Sequence, residues 1–596
     1  MLTRVTMALV LFVLLVNTLA ARPLLESFLF AVALAVGLTP ELLPMIVSVT
    51  LARGALRMAR LKVIVKRLSA VQDLGAMDVL CTDKTGTLTL ACPRVEHALD
   101  AQGAPAPRVF ELAWLNSHFG AGLGSALDDA LLHHATSGDG GWHKQGELPF
   151  DFQRRRASVL LAAAQRRLLV VKGAPEDVLR ECAFVAAAGG PLPLDDAARE
   201  RLARQFEAEG AQGLRLLAVA VRELEPARAA PLAVADERGL VFEGWVAFAD
   251  PPKPTAPAAL RSLAEHGVAL KIVTGDTEAV TRHLCGQLGV AVEGVVTGTQ
   301  IAAMDEAALR AAAVRANLFC RTNPQQKQRV VRALQAGGHV VGYLGDGIND
   351  APPLHAADVG ISVDSAVDVA KQAADLVLMA HDLDVLRDGI REGRRSFLNV
   401  DKYVRMATSS NFGNMASMAA AALFLPFLPM LPLQILLNNF LYDLSELPIP
   451  TDRVDDADLL RPQRWDAARV RGFMFRFGAL SSVFDLLAFG LLYGVMHVPA
   501  AVFQSAWFVQ SMATQALVIF LIRTPRAAWR DRPSGWLVLS SLAVVALAAA
   551  LPFSPWAAFF GFVALPGEVL LAMGGLTLGY LATVETAKRL FRPRTA

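Results

Sequence analysis

Charge is what this sequence has little of. Only 19% of its 596 residues are Asp, Glu, Lys or Arg, and the formal net charge is +2. So slight an excess gives no electrostatic case for nucleic acid, and none is expected as a partner. Cysteine is scarce too. The five residues, Cys81, Cys92, Cys182, Cys285 and Cys320, show no metal-ligand spacing. All lie in the polar middle of the chain, which fits reduced cytoplasmic thiols rather than a disulfide framework. Polar residues are few: hydrophobic ones make up 54% and the mean hydropathy is +0.40. A soluble protein of this length is usually more polar, and the chain is too long for one domain.

Long apolar runs are present instead. Residues 5–20 and 27–50 form two in succession, each about long enough to cross a bilayer. Their closeness favours a membrane hairpin over a cleaved leader. The second run is interrupted by Thr39-Pro40-Glu41-Leu42-Leu43-Pro44. Proline breaks a helix and frees carbonyls, and broken membrane helices with a carboxylate mark ion sites. A plain kink with an incidental Glu41 is the alternative, at the cost of an unused membrane carboxylate. Six further spans read near 403–424, 430–450, 473–495, 502–522, 535–552 and 564–585. Basic clusters at 53–67, 453–471, 523–532 and 588–594 place those connections and both termini in the cytoplasm. Polar groups inside the spans gather at Asn411, Asn414, Asn438, Asn439 and Asp443. Asn411 with Asn414, and Asn439 with Asp443, share helical faces. With Glu41 they form an all-oxygen set that suits a hard cation such as Mg²⁺ or Ca²⁺. Interhelical hydrogen bonding remains open for Asn411 or Asn438 taken alone.

Between the two membrane parts lies a polar insert of about 340 residues, enough for two cores. Asp83-Lys84-Thr85-Gly86-Thr87-Leu88-Thr89 follows the short apolar run Met77 to Leu80, which predicts a buried strand ending at a ligand-binding edge. A carboxylate there can attack a phosphoryl group. Strands at 268–273 and 340–344 lead into Thr274-Gly275-Asp276 and Gly345-Asp346-Gly347-Ile348-Asn349-Asp350. A helical stretch between them carries Lys327. Strand ends presenting Asp83, Thr274 and Asp346, with Lys327 near, make a phosphoryl-transfer site. Alternating strands and helices argue a doubly wound parallel sheet. A second body interrupts it at 96–245, with a hairpin at 157–171. Its Phe152, beside Arg154-Arg155-Arg156 and with Lys172, suits a nucleotide, the ring stacking on a base and the cations meeting phosphate. Phe152 alone reads equally well as core.

The order PELLP, DKTGTLT, KGAPE, DPP, TGD, GDGIND, then membrane asparagines and an Asp, resembles the P-type cation-transporting ATPases along nearly the whole chain. "VGLTPELLPMIV", "PFDFQRRR", "SSNFGN" and "FLYDLSELPIP" are most similar to the bacterial magnesium-transporting branch. The resemblance implies an α-helical membrane bundle of about eight spans in a bacterial inner membrane, with a large cytoplasmic α/β insert. In that insert a haloacid-dehalogenase-like doubly wound phosphorylation domain is interrupted by an α+β nucleotide-binding domain. The expected boundaries are 1–66 and 396–596 for the membrane parts, 67–95 and 246–395 for phosphorylation, and 96–245 for nucleotide. The implied activity is ATP-driven magnesium transport, with ATP and Mg²⁺ as cofactors. Asp83 would carry the phosphoryl group, with Lys84, Thr274, Lys327 and Asn349 catalytic. Asp83, Thr85, Asp346 and Asp350 would hold the catalytic Mg²⁺. Asp128, Phe152, Arg154, Lys172, Gly173, Thr274, Gly275, Asp276 and Lys327 would hold ATP. Glu41, Asn411, Asn414, Asn439 and Asp443 would line the transport site.

The chain departs from that family at its start. Members carry two further membrane helices and an actuator domain with a Thr-Gly-Glu-Ser loop that activates water, and no such loop occurs here. Thr85 also stands where related phosphatases keep an acid–base Asp, and cannot transfer a proton. The expectation is a shortened portion, from a partial gene product or a split chain, that has the parts to form an aspartyl-phosphate and lacks the part that hydrolyses it. In the split case a separate chain would supply the actuator. No Cys-Pro pair occurs in the broken helix, which argues against soft metals. A calcium or other divalent-cation pump is the nearest alternative, and Asn414 in place of an acidic residue argues against calcium. A non-transporting nucleotide-binding sensor or subunit is the alternative of another class. Ion-stimulated phosphorylation of Asp83 would separate the pumps from the sensor.

Overall fold

A computed structural model describes residues 2–19, 23–37, 42–90, 92–121, 125–134, 140–151, 153–163, 166–225, 232–380 and 383–590. The chain divides into two units: Met1–Leu61 with Val71–Ala76 and Gly389–Ala596, and Lys62–Ala70 with Met77–Asp388.

The second unit contains two sheets. The first runs in the order Val63–Val65, Leu376–Leu378, Val359–Val363, Val341–Leu344, Val79–Thr82, Ala269–Val273, Leu318–Cys320, Val295–Thr297. Only its first pair is antiparallel. Val79–Thr82 and Val341–Leu344 are buried at every position, as expected for a parallel sheet covered on both faces. Val79–Thr82 is central, and Thr82 is level with Leu344 on one side and Ile272 on the other. The chain leaves this strand for one flank and later returns to the other. The carboxyl end of Val79–Thr82 is therefore the switch point where such sheets bind ligands.

The second sheet runs His143–Asp151, Arg156–Ala163, Arg166–Gly173, Arg215–Leu224, Leu240–Ala249, Cys182–Val185, Leu192–Pro193, with Arg94–Asp100 pairing to Leu240–Ala249. Its side chains alternate with period two. Leu168 and Val170 pack with Val109 and Leu131 from the helices Pro107–Phe119 and Ala126–His134. Leu169 and Val171 pack with Val178 and Leu202 from the helices Pro175–Glu181 and Asp196–Ala211.

The first unit is helical around one apolar core that includes Phe30, Met415, Tyr442, Trp507 and Val544. Four of its described helices are long and apolar enough to cross a bilayer: Ala467–Val495, Ala500–Ile522, Gly535–Phe553 and Gly567–Lys588. Leu571 and Leu578 stand 80% and 70% exposed on the last of them, a face that suits lipid rather than water. Thr6–Leu19 and Ser27–Gly37 are shorter apolar helices. The helix Leu24–Gly37 precedes the proline pair, and the helix Leu43–Arg60 starts with Pro44 in its first turn. Proline is tolerated there because the first-turn N–H has no helical partner. Pro40 and Glu41 lie outside the described residues.

Three elements differ from the sequence reading. The apolar span read at 403–424 is the end of one 39-residue helix, Leu383–Ala421. Its polar first half buries Leu386, Ile390 and Phe397 between charged residues and adds pairs such as Arg387–Asp384 and Arg395–Glu392, a mixture that a hydropathy reading passes over. Pro432–Glu446 is only 15 residues long, shorter than the span read at 430–450. Val63–Val65, within the basic stretch assigned to the membrane part, is an edge strand of the parallel sheet, entered through Lys62 at φ 65°.

Candidate active site

Asp83 leaves the central strand with its amide donating to Leu344 O at 3.2 Å. Its carboxylate then meets two donors. Lys84 N reaches Oδ1 at 2.7 Å and Lys327 Nζ reaches Oδ2 at 2.7 Å. Lys327 lies one turn inside the helix Pro324–Ala336. That helix starts sharply because Asn323 Oδ1 accepts from Gln326 N and Gln326 Oε1 accepts from Asn323 N, at 2.8 and 3.0 Å. This reciprocal cap fixes the helix and so aims the lysine. Lys327 is 2% exposed and also donates to Asp350 Oδ1 at 2.9 Å. Burial pushes the Asp83 carboxyl above the usual carboxylate range, opposed by Lys327 and aided by Asp350.

Gly86 sits at φ +75°, and a Cβ on it would collide with the Asp346 carboxylate. Loop and carboxylate are therefore in contact only because residue 86 is glycine. Three contacts brace this loop. Lys253 Nζ donates to Gly86 O at 2.8 Å, Thr89 Oγ1 donates to Asp250 Oδ2 at 2.6 Å, and Leu90 N donates to Pro251 O at 3.1 Å. Burial, with repulsion from Asp350 and Asp83, lifts the Asp346 carboxyl to about 6. A clustered, under-compensated pair of carboxylates of this kind fits a Mg²⁺ ion held by Asp83 and Asp346.

Two predictions follow from that loop. Gly86→Ala must adopt a left-handed backbone at a cost of about 1–2 kcal/mol and displace Asp346. The Mg²⁺ concentration needed to half-saturate the site should rise at least about tenfold. The second concerns pH. The Asp346 carboxyl, at about 6 in the fold, lies above the ordinary range of a free carboxyl. Between those values the unfolded chain binds fewer protons than the folded one, so stability falls as pH rises through that window. With Mg²⁺ chelated, the thermal midpoint should decline across it, and Asp346→Asn should flatten the decline.

The remaining sequence candidates fall into three groups. Some meet as expected. Lys172 and Asp128 form an ion pair, and Ser125 Oγ donates to Asp128 Oδ2 at 2.8 Å. Against its partial burial, Lys172 and Ser125 hold Asp128 down at about 2. Thr274 is 2% exposed, its Oγ1 accepting from Asp276 N at 3.2 Å. Others have different partners. Lys84 Nζ pairs with Asp276 Oδ2 at 2.5 Å and, against burial, holds that carboxyl below its usual value. Asp350 gives Oδ1 to Lys327 and Tyr343 and Oδ2 to Gly347 N, so it orients the lysine. Arg154 donates to Glu237 Oε1 at 2.5 Å and Pro149 O at 2.7 Å. Asn349 is exposed and Thr85 half-buried. Phe152 lies outside the described residues, as does Glu41.

Within this unit a cavity of about 310 Å³ is lined by Asp128, Phe150, Lys172 and Arg215 from the antiparallel body and by Gly275 and Asp276 from the parallel one. A smaller one of about 170 Å³ shares Leu127 and Arg215 with it and reaches Lys84 and Thr85. Arg155, of the arginine run, and Glu176, of the KGAPE stretch, also line the larger cavity, as does Arg321; sequence reading gave Arg215 and Arg321 no part in it. Arg321, paired with Glu176 at 2.7 Å, lay in plain view just before the lysine helix.

In the first unit, Asn411, Asn414, Asn439 and Asp443 are all buried. A Cβ on Gly37 would collide with the Asn439 amide, which brings the end of Leu24–Gly37 against Pro432–Glu446. Ser511 Oγ donates to Asn414 Oδ1 at 3.4 Å. Among the described residues, Asn414 Nδ2, Asn439 Nδ2 and both polar atoms of Asn438 have no hydrogen-bond partner. Such buried orphans are rare and call for a ligand or another explanation.

The family model for the cytoplasmic domain N of P-type ATPases matches residues 123–255, and that for the C-terminus of cation transporting ATPases matches residues 427–590. The magnesium-transporting ATPase, P-type 1, of Salmonella typhimurium is 44% identical over 580 residues, covering 96% of this chain and 64% of that protein. Its Escherichia coli K12 namesake is 44% identical over 593 residues, covering 98% and 66%. The calcium-transporting ATPase 1 of Yarrowia lipolytica is 31% identical over 480 residues, covering 72% and 51%. The chain thus spans slightly less than two thirds of the length of the magnesium-transporting relatives it matches. It belongs to the P-type ATPases, and of these relatives it stands nearer to the magnesium-transporting ones.

Proposed function

We propose that this chain takes the terminal phosphoryl group of ATP onto Asp83 and that, in its complete working form, this step drives Mg²⁺ across a bacterial inner membrane. The observation that carries the reading is Asp83 at the switch point of the parallel sheet, with Lys327 on one carboxylate oxygen and two neighbouring cavities, one lined by Lys172 and the other by Thr85, that share Leu127 and Arg215. An Asp83 oxygen attacks the γ-phosphorus in line, the bond to the β–γ bridging oxygen breaks, and ADP leaves with that electron pair. Lys327 balances charge on Asp83 and the arriving phosphoryl oxygens, and Thr274 supplies a hydroxyl to them. Asn349, exposed between Asp346 and Asp350 in the chain, would add an amide to the phosphate oxygens. Asp83, Thr85 and Asp346 are the residues that would hold a Mg²⁺ ion, which when bound neutralises charge between carboxylate and phosphate. Lys172, Asp128, Phe152 and Gly173 hold the nucleotide, with Gly275 and Asp276 closing the phosphate side.

The finer architecture belongs to the same proposal. The membrane part crosses about eight times, counting Leu383–Ala421, Pro432–Glu446 and the two N-terminal runs as spans alongside the four longer helices. The insert is cytoplasmic, as are both termini, and comprises a haloacid-dehalogenase-like domain at 67–95 and 246–395 interrupted by a nucleotide domain at 96–245. Glu41, Asn411, Asn414, Asn439 and Asp443 form the transport site, whose all-oxygen donors suit Mg²⁺. Equilibrium binding of isotopic Mg²⁺ and Ca²⁺ to the detergent-purified chain tests the ion. Mg²⁺ binding that Asp443→Asn removes is the expected result. Preferential Ca²⁺ binding at the same residue would replace magnesium with calcium in this reading.

A further inference from the structure

A carboxylate inside a membrane span is costly to keep, and its presence points to a task. Asp485 is such a group, and it takes no part in the two sites described above. It lies on the helix Ala467–Phe489, within the apolar span Ala467–Val495, and is 1% exposed. Among the described residues no Lys, Arg or His pairs with it. Its Oδ2 is 2.7 Å from Ser417 Oγ, and its Oδ1 accepts from the Trp507 indole N–H at 3.1 Å. These partners come from Leu383–Ala421 and Ala500–Ile522. Gly567–Leu590 also packs against this helix, and its Tyr580 is the other titratable group near enough to act on Asp485. Just past Asp485 the chain enters a π-helical segment, Gly490–Val495, a rare geometry that gathers at functional positions.

The hydrogen bonds around Asp485 can be completed in two ways. Ser417 Oγ carries one proton and has two acceptors in reach, Asp485 Oδ2 and, one turn back, Gly413 O at 2.8 Å. Gly413 O also accepts from Ser482 Oγ at 2.9 Å. With Asp485 neutral, its O–H donates to Ser417 Oγ while the Ser417 hydroxyl donates to Gly413 O. With Asp485 charged, the Ser417 hydroxyl turns onto Oδ2, and Ser482 still serves Gly413 O. Neither state orphans a buried polar atom, so the site accommodates both. Both partners also lead to the buried asparagines. Ser417 follows Asn414 by one helical turn, and Trp507 precedes by one turn Ser511, whose Oγ donates to Asn414 Oδ1 at 3.4 Å. A cation held at Asn414 would stand on the order of 10 Å from Asp485. In a lipid-embedded bundle its charge is weakly screened and favours an ionised neighbour.

We propose that Asp485 is a proton site of the membrane part, protonated while the asparagine site is empty and deprotonated when a divalent cation fills it. The Asp485 O–H bond breaks, its electron pair stays on Oδ2, the proton passes to bulk water, and the Ser417 hydroxyl swings onto the new carboxylate. Cation and proton thus occupy the membrane part in turn. This rests on Asn414 belonging to the transport site.

The test titrates the full chain in detergent with Mg²⁺ in weakly buffered solution. A pH indicator follows released protons while isotopic Mg²⁺ follows binding, between about pH 5 and 8. At its maximum across that range, the wild type should release about one proton more per saturated chain than Asp485→Asn. The catalytic Mg²⁺ site contributes equally to both and cancels. The same extra proton should be missing from Asp443→Asn, whose transport site no longer fills. Equal release from wild type and Asp485→Asn, with Mg²⁺ still bound to the transport site, overturns the inference and leaves that site intact. A wild-type chain with no Mg²⁺ binding that depends on Asp443 overturns the transport-site reading itself. Ser417→Ala carries the test even where Asp485→Asn fails to fold. It removes a donor that serves the charged form most, so the extra proton should appear only at about tenfold lower proton concentration. An unshifted release in Ser417→Ala also overturns the inference.

Discussion

Asp83→Asn should reduce acid-stable labelling from γ-labelled ATP to background while leaving ATP bound. An amide cannot serve as the attacking oxyanion, so the loss is of chemistry and not of binding. Affinity for ATP should hold or improve, because the substitution removes a negative charge from the path of the γ-phosphate. Folding should hold as well. Burial raises the Asp83 carboxyl, which means that its charge opposes the fold, and Lys327 keeps Asp350 as a partner at 2.9 Å. A drop in ATP affinity together with the label would instead mark Asp83 as a structural anchor of the cavity.

Lys327→Met should give the other large effect, and it should be twofold. The ammonium is buried between two carboxylates. Removing one member of a buried charge cluster costs about 3–5 kcal/mol because the remaining charges lose their compensation. Phosphorylation should fall by about 10²–10³-fold, the typical cost of removing one preorganised donor from developing charge. The two effects separate in the double variant Lys327→Met with Asp350→Asn. Thermal stability should return in part, since one uncompensated carboxylate is gone, while phosphorylation should stay low. Recovery of both would reduce Lys327 to a folding role.

Much of this site is legible in the sequence because it is locally encoded. A short apolar run followed by Asp83 and a glycine-bearing turn specifies strand, edge and loop within a dozen residues. Asn323-Pro324 with Gln326 announces a helix start, and so gives Lys327 its direction. What was not legible depends on partners distant along the chain. Asp350 reads as a metal ligand from its motif, but Lys327, 23 residues earlier, takes its Oδ1. Arg154 reads as the nucleotide cation, but Glu237, 83 residues away, captures it. No local pattern says that Arg155 will adopt a left-handed backbone, at φ 50°, since its neighbours in sequence are identical to it. Hydropathy likewise marks the apolar end of Leu383–Ala421 and is silent on its first half, where Leu386, Ile390, Phe397 and Val400 are buried between charged residues.

The most direct test of the account is to locate the phosphoryl group. The purified chain would be incubated with Mg²⁺ and γ-labelled ATP, quenched in acid, digested, and its labelled peptides sequenced. The expected result is one hydroxylamine-sensitive label on the peptide containing Asp83, absent in Asp83→Asn. A hydroxylamine-resistant label elsewhere, or no label in a chain that binds ATP, would contradict the claim that this sheet edge accepts a phosphoryl group.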